Sequence, residues 1–279
     1  MKTKAYALLL AIITVATTAL RTICLLTQYE PQVGYLRDNS LSKMAVLLLV
    51  AGAFCCLLSG FLFPKIALDE KVLTEPRRRK AWAILYTFAA ACCFFGGIYF
   101  LTNRASNSIT LYIATGVFSL VFAMFFLVNC SFDETKSAAV STKLTPWLYV
   151  AGIVMLLLLL IFSYFDMTVT LNGPFTTPWI FATLFGCIFF LMEIRAKIGR
   201  GIPRLHLPLA LVAFFLSVSI GASNLLFSLF GDAANGVSIS EPARPILLLS
   251  VAFAAAARLL CFSRETEKTT QNDNPVEIH

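Results

Sequence analysis

The chain alternates between long apolar runs and short polar loops. Eight runs stand out: 5–27, 43–63, 82–101, 109–129, 147–165, 177–193, 207–230 and 245–262. Each is close to the roughly 20 residues a helix needs to cross about 30 Å of hydrocarbon. The runs are continuous, with no period of two, so they read as helices rather than strands. Only helices and closed barrels satisfy their backbone in lipid. The pattern therefore predicts an all-α polytopic membrane bundle of eight transmembrane helices over residues 1–263. Residues 264–279 are polar and read as a disordered cytoplasmic tail. Lys2 and Lys4 followed by residues 5–16 also resemble the start of a secretory signal, with a poor cleavage site at Thr17, Thr18 and Ala19. Apolar character continues past them to Leu26, which favours an uncleaved first helix.

Composition agrees with this pattern. Hydrophobic residues make up 58% and charged residues 13%, against about 25% charged in a typical soluble domain. The net charge of +7 has its cations in loops between apolar runs. Attraction to anionic lipid headgroups explains it more simply than nucleic acid does.

Loop charge orients the chain. One side of the alternation carries Lys2, Lys4, Lys65, Lys71, Arg77, Arg78, Arg79, Lys80, Lys136, Lys143, Arg195, Lys197, Arg200, Arg204, Arg264 and Lys268. The other carries Arg37, Lys43, Arg104 and Arg244. The excess of cations marks the cytoplasmic side, so both termini are expected inside a plasma membrane. Arg77, Arg78, Arg79 and Lys80 are the strongest single signal and the expected contact with headgroups. Trp82, Trp147 and Trp179 open helices, where an interfacial aromatic belt would place them. The two halves of the chain share an orientation, which admits a parallel four-plus-four repeat, but no residue motif recurs.

Small residues mark two helices. Gly52, Cys56 and Gly60 recur every four positions, as do Ala89, Cys93 and Gly97. Such stripes let backbones approach closely in lipid. The two helices are sequential, so the stripes are expected to meet each other. The eight cysteines fall in or at the ends of apolar runs and read as small packing residues. Adjacent pairs such as Cys55 and Cys56 point about 100° apart on a helix, a poor geometry for one ion, so no metal or other cofactor is expected.

Arg21 is the most unusual charge within a run. Two readings stay open: it snorkels, or it joins Glu30 or Asp166 in a polar outward-facing vestibule with Tyr29, Asn172 and Asn224. The segment Tyr29 to Tyr35, with Pro31 and Gly34, reads as a tight turn or small hairpin. Arg258 is expected to snorkel to the cytoplasm. No acid, Lys or His lies in the middle of a run, and His206 and His279 sit in polar segments. Ser163, Ser217, Ser219 and Ser223 have no evident His partner, which argues against a serine hydrolase. Metalloprotease, dinucleotide and phosphate-loop signatures are absent from the sequence.

Arg21, the segment Leu25 to Glu30 with Gly34 and Tyr35, Phe61 to Lys65, and Ser163 and Tyr164 with Asn172 and Pro174 together carry a resemblance. They resemble a group of uncharacterised multi-pass membrane proteins of Gram-positive bacteria. The resemblance implies location and helix count and no activity. The sequence thus leads to a non-enzymatic scaffold, sensor or accessory membrane subunit. A small-solute permease with a polar vestibule at Arg21 is the alternative, and a membrane-embedded enzyme comes third. Its expected partners are the bilayer, anionic headgroups at the cytoplasmic face and other membrane subunits.

Overall fold

The computed structural model describes residues 2–30, 34–63, 66–68, 75–103, 109–130, 134–165, 173–231 and 241–264. Eight helices run in order: α1 (Lys2–Gln28), α2 (Ser40–Leu62), α3 (Pro76–Thr102), α4 (Ile109–Cys130), α5 (Glu134–Phe165), α6 (Thr176–Lys197), α7 (Pro203–Phe230) and α8 (Ala243–Leu259). Four short strands accompany them: β1 (Tyr29–Glu30) and β2 (Tyr35–Leu36), then β3 (Ile66–Leu68) and β4 (Phe262–Arg264).

Local chemistry sets the helix ends. Asn39 caps α2 by accepting a hydrogen bond from the Ser42 amide at 2.9 Å. Pro76 and Pro203 occupy first-turn positions of α3 and α7, where a missing N–H costs nothing. At the end of α6, Gly199 adopts φ +76°. Its amide bonds Ala196 O and the Arg200 amide bonds Arg195 O, the pair of contacts of a Schellman cap. A β-carbon would strain that left-handed backbone, so glycine is required there. The chain consequently reverses within residues 198–202, and α7 starts beside the end of α6.

Seven helices, α1 to α7, are long and apolar enough to cross a membrane. The eighth run is different. At 17 residues, α8 is about 25 Å long, short of the roughly 30 Å hydrocarbon layer. Most of its residues are buried, including Arg244 and Arg258 near its two ends. It packs inside the bundle rather than spanning as an independent lipid-facing helix. Helix α5 starts at Glu134, well before the apolar run from 147.

Six helices form a closed ring. α3 packs on α4, α4 on α5, α5 on α6, α6 on α7, α7 on α8, and α8 back on α3. The α1–α2 hairpin docks on α7. Helix α7 is accordingly the most buried of the spans. The grouping is two plus six, so the four-plus-four repeat is not the organising unit.

The small-residue stripes do not meet each other. Gly52 lies against the ring of Phe215, and Gly60 against Arg204 O and Pro208, both on α7. Gly97 faces Gly116 O and Leu120 on α4, while Gly96 faces Leu247 on α8. Cys56, Ala89 and Cys93 are buried beside these contacts. Close approach is the property that matters in each case, and it selects whichever neighbour is bulky at that level. α2 packs on α7, and α3 packs on α4 and α8.

Each end of the bundle is closed by a short antiparallel ribbon. β1 pairs with β2 through Tyr29↔Leu36 and Glu30↔Tyr35, the small hairpin expected there. β3 pairs with β4 through Ile66↔Arg264, Ala67↔Ser263 and Leu68↔Phe262 at the other end. Arg264 thus belongs to the fold and not to the tail. Arg77, Arg79 and Lys80 are exposed on the first turn of α3. Arg78 instead reaches the Leu260 carbonyl at 3.2 Å beyond α8, and Glu75 at 2.9 Å. Trp147 is exposed, but Trp82 and Trp179 are buried and do not form a belt.

Replacing Gly52 by Leu is expected to destabilise the protein in detergent by about 1–3 kcal/mol, the usual cost of overpacking. Thermal unfolding followed by size-exclusion recovery measures it. An equal loss should accompany Gly97→Leu, acting through the α3–α4 contact, and the two should add because the sites share no partner.

Candidate functional site

Two polar centres lie at opposite ends of the bundle. The first is built on Arg21, whose side chain is only 6% exposed. Helix α1 directs it toward α7 and the start of α6. Its Nε donates to Ser223 Oγ at 3.0 Å, and its Nη2 donates to Pro174 O at 2.8 Å and Asn224 Oδ1 at 3.4 Å. Ser223 in turn donates to Ser219 O at 2.7 Å along α7, so its lone pairs are turned to the guanidinium. No carboxylate lies within ion-pair distance of Arg21 among the described residues.

The residues expected to join Arg21 divide. Asn224 does. Glu30 instead pairs with Arg37 at 2.5 Å on the exposed hairpin, where solvent screens the attraction. Tyr29 packs edge-on against Phe175 at 4.9 Å and Phe227 at 5.8 Å, between ring centroids. With Leu25 and Leu36 these rings form an apolar plug over the Arg21 end. Burial raises the Tyr29 phenol above its ordinary pKa, so it stays neutral. Asp166 and Asn172 lie outside the described residues. The site has Arg21 and Asn224 in common with the expected vestibule, but its surroundings are apolar.

Those surroundings form a groove of about 570 Å³ beside Arg21. Ala45, Leu49, Ala53 and Leu57 of α2 form one wall, and Thr177, Pro178, Phe181 and Phe185 of α6 form the other. Leu216 and Ile220 of α7 are its floor. Floor residues are buried, whereas Val46, Val50, Phe54 and Phe181 at the rim are exposed. The groove thus opens sideways, on the surface that seven membrane-crossing helices would turn to lipid.

The second centre lies at the other end, where α6 stops and α7 starts. Glu193, His206 and Arg258 are each 1% exposed. His206 Nε2 is 2.6 Å from Glu193 Oε1. Glu193 Oε2 pairs with Arg258 Nη2 and accepts from the Tyr149 hydroxyl at 3.3 Å. A carboxylate only accepts, so Nε2 must carry the hydrogen it shares with Glu193. The Arg258 guanidinium sits 5.5 Å over the Trp82 ring, which itself stacks on Tyr86 at 4.3 Å. Phe262 of β4 packs edge-on against the imidazole at 5.7 Å. Five ring helices, α3, α5, α6, α7 and α8, therefore meet at one buried carboxylate.

This centre overturns two expectations. Arg258 does not snorkel; a carboxylate inside the bundle holds it. His206 is not in a solvated loop, because Pro203 starts α7 ahead of it. Glu193 is the last residue of the run 177–193, and α6 carries it inside the bundle by continuing to Lys197. A smaller node at the hairpin end is similar: Tyr112 donates to Glu241 Oε1 at 2.8 Å, and Arg244 lies 3.4 Å from Glu241 Oε2 and 5.3 Å over the Phe162 ring. Arg244 was expected in an outer loop.

His206 is eleven residues from Ser217, the nearest of the α7 serines, which is about 16 Å along the helix. Its imidazole is committed to Glu193. The arrangement holds charge in place and offers no serine–histidine pair. No family model, curated protein or solved structure matches the chain.

Glu193→Gln leaves Arg258 buried without a counter-charge and should cost about 3–5 kcal/mol. The double variant Glu193→Leu with Arg258→Leu should recover most of that loss, because an apolar pair replaces a desolvated one. Thermal denaturation of the purified variants in one detergent checks both.

Proposed function

We propose that the chain is a non-enzymatic binding protein of a membrane, a receptor or accessory subunit that holds the hydrocarbon part of a lipid-phase molecule. The observation that carries this reading is the groove between α2 and α6 with its exposed rim. Its volume lies within the roughly 300–1,000 Å³ typical of small-molecule sites. Its lining is almost wholly apolar, which favours a hydrocarbon chain over the polar solute a vestibule would admit. A molecule dissolved in the bilayer reaches it sideways, without crossing water.

On this reading the basic end, with Arg77, Arg79 and Lys80 exposed, faces the cytoplasm and its anionic headgroups. The groove then lies in the outer half of a plasma membrane. The resemblance to Gram-positive membrane proteins fits that location and adds no activity. Exposed faces of α1 and α2 leave room for further membrane subunits.

Native mass spectrometry of the protein purified in mild detergent should show retained lipid. Ala53→Trp places an indole in the groove and should lower that retention about tenfold, a change of roughly 1.4 kcal/mol. Equal lipid on the variant and the wild type would remove the groove from the account.

A further inference from the structure

We propose that Arg21 is the headgroup site of this groove and that its occupant is one anionic phospholipid, with an acyl chain along α2 and the phosphate at the guanidinium. The inference rests on the groove reading above and adds the chemistry of the head.

Four observations converge on it. The first is charge. Arg21 is buried, and hydrogen bonds to Ser223, Pro174 and Asn224 fix its Nε and Nη2. All three partners are neutral, so among the described residues the positive charge is oriented but not cancelled. Its Nη1 has no hydrogen-bond partner among the described residues. A buried guanidinium without an anion is costly, and a phosphate oxygen both neutralises it and accepts its free N–H groups.

The second is position. Arg21 lines the same cavity as Ala45, Leu57, Phe185 and Leu216. Its carbonyl partner, Pro174, sits just ahead of α6, which begins at Thr176. The guanidinium is therefore at the level where a spanning helix enters the membrane, which is headgroup level.

The third is the helix terminus. Gly173, Pro174 and Thr177 line the cavity at the start of α6. The positive end of the α6 dipole thus reinforces Arg21.

The fourth is length. From Ala45 to Leu57 the groove follows α2 for twelve residues, about 18 Å. That is slightly more than half of the roughly 30 Å hydrocarbon thickness, the reach of one acyl chain in one leaflet.

The test is a competition in nanodiscs of equimolar phosphatidylglycerol and phosphatidylcholine with identical chains. Protein is released from them and its bound lipid is read by native mass spectrometry. Wild type should retain phosphatidylglycerol over phosphatidylcholine by about tenfold, the ratio given by roughly 1.4 kcal/mol. Arg21→Gln should bind both lipids equally while keeping its total bound lipid. Arg21→Lys, which keeps the charge but loses the fork, should retain a preference between the two. If Arg21→Gln does not fold, the wild-type ratio and the lysine variant still decide the matter. Equal retention by wild type would overturn the headgroup assignment and leave the groove reading standing. A wild type with no bound lipid would overturn both. Displacement of phosphatidylglycerol by equimolar oleate would assign the site to a free fatty acid and overturn the phospholipid.

Discussion

Glu193 is a carboxylate held away from water, and the arrangement of the six-helix ring follows from how that charge is answered. One oxygen meets His206 and the other meets Arg258 and Tyr149. Those partners come from α7, α8 and α5, and the Trp82 ring of α3 covers the guanidinium. In hydrocarbon there is little hydrophobic drive between helices, so packing and such polar contacts decide which helices are neighbours. A single unneutralised charge would cost more than many packing contacts return. The position of short α8 inside the bundle is the clearest consequence.

The two ends of α7 answer the same physical problem in different ways. At the His206 end an anion and a cation cancel within the protein. At the Ser223 end the cation Arg21 meets, among the described residues, only dipoles: one hydroxyl, one amide oxygen and one backbone carbonyl. Dipoles orient a charge without removing it. The first arrangement is closed and suits a joint between helices. The second keeps an attraction for an outside anion, and it sits beside a groove instead of a packed core.

The helices were legible in the sequence because twenty-residue apolar runs admit few other structures. The hairpin at Tyr29 to Tyr35 was legible for a similar reason, through Pro31 and Gly34. Partners were not legible, since a small-residue stripe states that something comes close without stating what. Gly52 met Phe215 of α7, a contact separated by more than 160 residues of chain. Arg21 was visible as an anomaly, and its partner Asn224 was named, but the apolar walls come from three separate helices. Arg258 looked like an ordinary end-of-helix charge, and Glu193 carried no signal beyond closing the run 177–193. The signal that distinguishes Arg258 is its neighbourhood, Ala252 and Ala254 to Ala257, a run of small residues suited to close packing on all sides. An arginine there has no lipid-facing path out.

The position of Arg258 in the chain bears on biogenesis. Glu193 and His206 leave the ribosome more than fifty residues before it. Until α8 follows, the nascent bundle carries an acid without its counter-charge, and α3 and α7 each lack a flank. The same helix, α8, therefore supplies both ring closure and the counter-charge. A chain truncated before Arg258 would keep all seven long apolar helices yet leave the ring open and Glu193 without its arginine.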